Sequence, residues 1–188
     1  KDYYLIQNAN LKIKLPYNIT FNTTQTASGN WYSYNSYTTP TGGSGLAYNG
    51  ISNKQKTQTV SMNWNQILRW NHKFGEANVD LMLGHETFSR KFDLVDGEKS
   101  NFVDPANSEW ANASKITSLT SYSRDYKLEG YFGQVTGDYL NRYFVSASLR
   151  KDGSSVFHPD NRWGTFWSVG ASWRVNEESF MKQLDFIN

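Results

Sequence analysis

Residues able to do chemistry are scattered along this 188-residue chain, not gathered. It carries His72, His85 and His158 and no cysteine. A zinc site needs ligands at short, regular spacing, which these histidines lack. His72 and His85 could flank one hairpin, yet lone histidines on strands read as polar neighbours. Without cysteine there is no disulfide or thiolate chemistry, which says little about compartment. Asp93, Asp96, Glu98 and Asp104 make one stretch acidic. Calcium favours such oxygen ligands, but the spacing is not that of an EF-hand, and Lys91 and Lys99 intervene. A solvated stretch is expected there. Gly42-Gly43-Ser44-Gly45 lacks the strand-to-helix context of a phosphate loop and reads as flexible linker. Asp152-Gly153 reads as a turn at a loop entrance. No nucleophile, base and orienting group assemble, so the chain is read as not an enzyme, with no metal and no cofactor. A net charge of +2 is too small to suggest a nucleic-acid partner.

The aromatics are the remaining candidates. Trp31, Tyr32, Tyr34 and Tyr37 crowd together among Asn and Ser, and Trp110 stands in a second polar stretch. Aromatic faces beside amides hold sugar rings or peptide side chains at modest entropic cost. The competing reading makes them an aromatic belt that packs on lipid or neighbouring loops. Both readings stay open on the residues alone.

What must position these residues is a set of strands. From Tyr143 to Val175 the sequence alternates strictly. Trp163, Thr165, Trp167, Val169, Ala171, Trp173 and Val175 share one parity, against Gly164, Phe166, Ser168, Gly170, Ser172 and Arg174. Tyr143, Val145, Ala147 and Leu149 likewise oppose Phe144, Ser146, Ser148 and Arg150. Alternate side chains of a strand point to opposite faces, so this is a hairpin with one apolar and one polar face. Trp163 and Trp173 then stand on the order of 26 Å apart along a tilted strand, close to the apolar height of a membrane barrel. A soluble sandwich would accept the same hairpin.

Earlier in the chain, Tyr3–Leu15 reads as a strand with Leu11, Ile13 and Leu15 on one face and Lys12 and Lys14 on the other. Pro16-Tyr17-Asn18 turns it into Ile19, Phe21 and Thr23. Gly29–Gln55 is expected to be a long polar loop. Lys56–Asn71 alternates again, imperfectly at Gln66 and Ile67, where a bulge would account for the slip. Phe74–Asn78 is a second short turn before Val79, Leu81 and Leu83. Phe92–Leu119 is expected as a second long loop, with turn dipeptides at Asp96-Gly97 and Asp104-Pro105. Thr120–Gly137 returns, Asp138–Asn141 turns, and Glu177–Ile187 reads as a short helical turn. Seven strands result, with connections that run short, long, short, long, short, medium. Outer-membrane barrels show that alternation, whereas long loops are uncommon in compact soluble domains.

Composition agrees. Aromatics reach 16% with 7 Trp and 12 Tyr, while hydrophobic residues total only 38% and mean hydropathy is -0.67. A barrel with a polar lumen needs few aliphatics and concentrates aromatics at its interfaces. No apolar run is long enough for a transmembrane helix.

The run KDGSSVFHPDNRWGTFWSVGASWRVNEESFM resembles the late-barrel segment of the SusC/RagA family of TonB-dependent outer-membrane transporters. Arg150, Asp152–Ser155, Phe157, Asn161–Gly164, Phe166, Ser168, Trp173, Arg174, Glu177, Glu178 and Phe180 occupy the matching positions. The resemblance is specific over the last third of the chain and loose before it. It implies an all-β fold, about seven antiparallel strands of a 22-stranded transmembrane barrel. Residues 1–188 are then a partial barrel domain, with the plug and the other strands absent. It implies TonB-dependent import of oligosaccharides or peptides across the outer membrane of a Gram-negative, Bacteroidetes-like bacterium. The implied partners are a SusD-like lipoprotein over the mouth, the TonB complex through the absent plug, and outer-membrane lipid. A surface-displayed glycan-binding module and a passive porin are the alternatives. Val145, Leu149, Val169, Trp173 and Val175 are expected to face lipid, with Arg150 and Arg174 toward the lumen. The two long loops, anchored by Trp31 and Trp110, are expected to meet the lipoprotein.

Overall fold

The computed structural model describes residues 1–181. Its strands are β1 (Asp2–Leu15), β2 (Ile19–Thr38), β3 (Ile51–Phe74), β4 (Ala77–Phe102), β5 (Ala113–Tyr139), β6 (Tyr143–Ser154) and β7 (Trp163–Trp173). They form one seven-stranded sheet in sequence order, a meander with β1 and β7 at its edges. Among the described residues no helix is long and apolar enough to cross a membrane. The chain divides into two compact units whose boundary falls within strands. Unit 1 holds Lys1–Gln7, Ala27–Met62 and Ser89–Tyr126; unit 2 holds Asn8–Thr26, Asn63–Phe88 and Lys127–Asn188.

The tight turns belong to unit 2 and follow from local backbone chemistry. Tyr17 and Asn18 have φ of 62° and 61°, and Leu140 and Asn141 have 57° and 55°. Two successive left-handed residues define the turn whose twist matches paired strands. Ile19 N–H donates to Pro16 O at 3.4 Å, and Arg142 N–H to Tyr139 O at 3.0 Å, closing these two turns. Gly75, at φ 59°, serves the turn between β3 and β4.

Both expected long loops shrink, because strands continue far into them. Trp31, Tyr32, Tyr34 and Tyr37 lie in β2, and the connector is residues 39–50. The acidic stretch with Asp93, Asp96 and Glu98 lies in β4, and the second connector is residues 103–112. Ladder hydrogen bonds use only backbone, so Ser, Thr, Asn and Tyr extend a hairpin without apolar alternation. The expected order short, long, short, long, short, medium nevertheless stands: 16–18, 39–50, 75–76, 103–112, 140–142 and 155–162.

Four further expectations are corrected. Gly43–Tyr48 is a 3-10 helix with Gly45 buried, not linker. Asp96-Gly97 and Asp152-Gly153 lie inside β4 and β6, not in turns. β7 ends at Trp173, so Val175 opens a 3-10 turn, Val175–Glu177, instead of continuing the apolar parity. That turn meets the expected helical segment, Glu177–Ile187, only at Glu177; residues 178–181 are bend and turn, and residues 182–187 lie outside the described residues.

Among the described residues, the buried side chains other than glycine lie in unit 1. Phe102 is 2% exposed, and Ser52, Ser100 and Ala113 of the same unit are also buried. The Tyr37 ring packs on Phe102 with centroids 4.9 Å apart.

Candidate functional site

Pairing register decides which side chains share a face in unit 2. Tyr143 pairs with Trp173, Val145 with Ala171, Ala147 with Val169, and Leu149 with Trp167. On β5, Val135 pairs with Ala147 and Gly133 with Leu149. Directly opposed residues point the same way, so these form one continuous apolar face. Its turn-side border is a row of rings: Tyr139 on Tyr143 at 6.5 Å, Tyr143 on Trp173 at 6.2 Å, and Trp173 on Phe180 at 6.4 Å. Its other border is a second row, His85 on Tyr131 at 4.6 Å and Tyr131 on Trp163 at 6.2 Å. Gly153 makes the second row possible, since a Cβ there would stand 2.9 Å from the Trp163 ring. That close approach, not a turn, is what the DGSS run supplies.

The opposite face is polar and connected. Arg150 binds Asp152 at 2.8 Å and Glu86 at 3.3 Å, and its guanidinium lies 5.2 Å from the Phe132 ring. Asn78 Nδ2 donates to both Asp138 oxygens at 3.0 and 3.1 Å. Ser148 and Ser168 share a hydrogen bond at 2.7 Å, and Arg69 pairs with Asp80 at 3.5 Å. The Arg174 guanidinium lies 5.3 Å from the ring of Phe144, which belongs to this face. Arg150 and Arg174 therefore oppose Val145, Leu149, Val169 and Trp173, as the parity requires. A cleft of 500 Å³ on this side is lined by Asn78, Asp80, Asp138, Phe144, Ser146 and Ser172, among others.

Glu178 fastens the segment after β7. Its Oε1 accepts from Tyr143 Oη at 2.6 Å and Trp173 Nε1 at 3.1 Å, and its Oε2 faces Arg142 at 3.5 Å. These hydrogen bonds, chiefly Tyr143's, hold the carboxyl below its ordinary range despite partial burial.

In unit 1 the two connectors are tied together. Tyr37 Oη donates to Pro105 O at 2.9 Å, and Phe102 N–H to Asn49 O at 2.8 Å. Asn49 Nδ2 donates to Asn101 Oδ1 at 2.8 Å, and Lys54 pairs with Glu109 at 2.6 Å. Asp104 Oδ1 accepts from Ala106 N–H at 2.9 Å, so the Asp104-Pro105 turn is present.

The five candidate aromatics do not converge. Alternation along β2 puts Trp31 and Tyr37 on one face and Tyr32 and Tyr34 on the other. Trp31, Tyr32 and Tyr34 are exposed, with the Trp31 ring over Gly29. Tyr37 is committed to Phe102 and Pro105. Trp110 is seated over Gly97, where a Cβ would stand 2.7 Å from its ring, with Lys54 5.8 Å above it and Lys99 donating to its carbonyl at 2.7 Å. One residue set escaped sequence reasoning. His85, which reads as a lone polar neighbour, bridges Gln66 at 3.2 Å and Glu129 at 3.3 Å. Gln66 interrupts the apolar parity of β3 to meet it, which was the one available signal. The histidines otherwise serve locally: His72 stacks on Trp70 at 5.8 Å, and His158 accepts from Asp160 N–H at 3.5 Å.

An antiparallel meander with an apolar face between two aromatic rows, backed by a connected polar face, is the pattern of transmembrane β-barrel strands. The chain belongs to the TonB-dependent receptor-like β-barrel family, whose model matches residues 1–182. It is 31% identical over 147 residues to the TonB-dependent receptor SusC of Bacteroides thetaiotaomicron, covering 77% of this chain and 14% of SusC. It is 40% identical over 63 residues to TonB-dependent receptor P39 of Formosa agariphila, covering 34% of this chain and 6% of that one. The solved structure of the RagAB peptide transporter superimposes with a TM-score of 0.85 at 15% identity, covering 95% of this chain and 20% of the other. The chain thus spans a small part of the length of its relatives.

Proposed function

We propose that this chain is part of an outer-membrane barrel of 22 strands, in a protein that imports nutrients by TonB-dependent transport. The apolar face meets lipid and the polar face lines the lumen, while plug and TonB contacts lie in other parts of the protein. The observation that carries this reading is the two-sided register of β5, β6 and β7, with ring rows bounding one face only. An arginine such as Arg150 costs about 2–4 kcal/mol at a bilayer midplane but is hydrated in a lumen. The polar cleft beside Asp80 and Asp138 is then lumenal wall.

The cargo is an oligosaccharide or a peptide, in a Gram-negative, Bacteroidetes-like host. SusC is the relative with 77% coverage of this chain, and the RagAB structures are of a peptide transporter. A SusD-like lipoprotein is the proposed partner over the connectors 39–50 and 103–112. Their cross-ties make a preformed surface, and Leu46, Tyr48 and Val103 stand exposed on it. Trp31, Tyr32 and Tyr34 are proposed to contact ligand or partner directly, with Tyr37 and Trp110 holding the connectors in place.

Growth of a strain lacking the whole gene, on single glycans or on peptides as sole nutrient, tests the function. Loss of growth on one class, restored by the wild-type gene, is expected. Unimpaired growth on every glycan and peptide tried would contradict import.

A further inference from the structure

The apolar face of unit 2 is not uniform. Gly133 on β5 sits between Leu83 on β4 and Leu149, its partner on β6. With Ala147 and Val135 next along the strands, the missing bulk leaves a groove of 590 Å³. The groove lies over β4, β5 and β6, away from both edge strands, so its walls are complete within this chain. One end is apolar. At the other stand Tyr131 and Lys151, where the second ring row begins.

The charges around that end are accounted for except one. Glu129 accepts from Tyr131 Oη at 2.5 Å and faces His85 at 3.3 Å, and His85 also meets Gln66. Lys151 has no carboxylate within ion-pair distance among the described residues; its ammonium lies 5.5 Å over the Trp163 ring. Lys151 is exposed on the apolar face at the aromatic border, open to an anion from outside the chain, and the apolar groove it lines extends away from it. We propose that this groove binds one anionic membrane lipid, an acyl chain lying over Gly133 and its phosphate on Lys151. Long basic side chains at an aromatic border reach headgroups in this way. The site rests on the reading that this face meets lipid.

The test uses the full-length receptor in phosphatidylcholine vesicles, with a bimane probe on a single cysteine introduced as Val169→Cys beside Ala147. Quenching is measured with brominated phosphatidylglycerol and, separately, brominated phosphatidylcholine. The anionic lipid should half-quench at about fivefold lower mole fraction, the increment of one lysine at a membrane surface. Lys151→Gln should remove that preference, and Ala147→Leu, which fills the groove, should reduce quenching by the anionic lipid. Equal quenching by both lipids, or a preference that survives Lys151→Gln, overturns the site. Absence of quenching by either lipid overturns the lipid-facing reading beneath it, which separates the two failures.

Discussion

Glu178 illustrates how much one side chain holds at the end of β7. Its carboxylate gathers Tyr143, Trp173 and Arg142, which fixes the chain as it leaves the strand. Because its folded pKa is depressed, its contribution to stability is present above the unfolded carboxylate value and lost as pH falls through the folded one. Glu178→Gln should therefore lower the unfolding temperature of the receptor in detergent at neutral pH. The gap to wild type should close in acid. A gap of equal size at both pH values would mean that charge is not what Glu178 supplies. Trp31 and Trp110 separate at this scale too. Trp31→Ala should weaken ligand uptake or lipoprotein capture with the connectors intact, because its ring is exposed. Trp110→Ala should act through the connector, and Gly97→Val should mimic it by displacing the ring from its seat. Limited proteolysis checks this: faster cleavage within 103–112 is expected for the latter two and not for Trp31→Ala.

Among the elements, what could be read in advance depended on which physical signal each one carries. β6 and β7 were legible because one face must be apolar and the other wet, which writes alternation into Val145, Ala147, Leu149 and their partners. The tight turns were legible from Pro16, Asn18, Gly75 and Asn141. The distal parts of β2, β3, β4 and β5 were not, because backbone pairing alone extends a hairpin without strict parity, and their Ser, Thr, Asn and Gly resemble loop in composition. Gly97 and Gly153 misled for a related reason: a glycine that makes room for a tryptophan looks, in one dimension, like a glycine that turns the chain. The Gln66–His85–Glu129 bridge joins three strands, and only register brings its members together. The same two-sidedness predicts opposite outcomes for neighbouring substitutions. Ala147→Arg puts a charge on the apolar face midway between the two ring rows and should cost about 2–4 kcal/mol, while Ser146→Arg on the polar face should cost little. Heat-modifiable mobility of outer-membrane fractions reads this directly. Equal assembly of the two variants would mean that the faces are not distinguished by their surroundings.

For the molecule as a whole, the central claim is that strands of this chain stand between lipid and an aqueous lumen, with odd-numbered positions of β6 toward lipid. Nitroxide scanning from Tyr143 to Arg150 in the full-length receptor, reconstituted in bilayers, tests that most directly. Oxygen concentrates in lipid, and a nickel chelate stays in water, so their collision rates report the surroundings of each label. The account predicts oxygen maxima at Val145, Ala147 and Leu149 and chelate maxima at Phe144, Ser146 and Ser148, a period of two throughout. A profile without that alternation, or with chelate reaching Val145, Ala147 and Leu149, would contradict it.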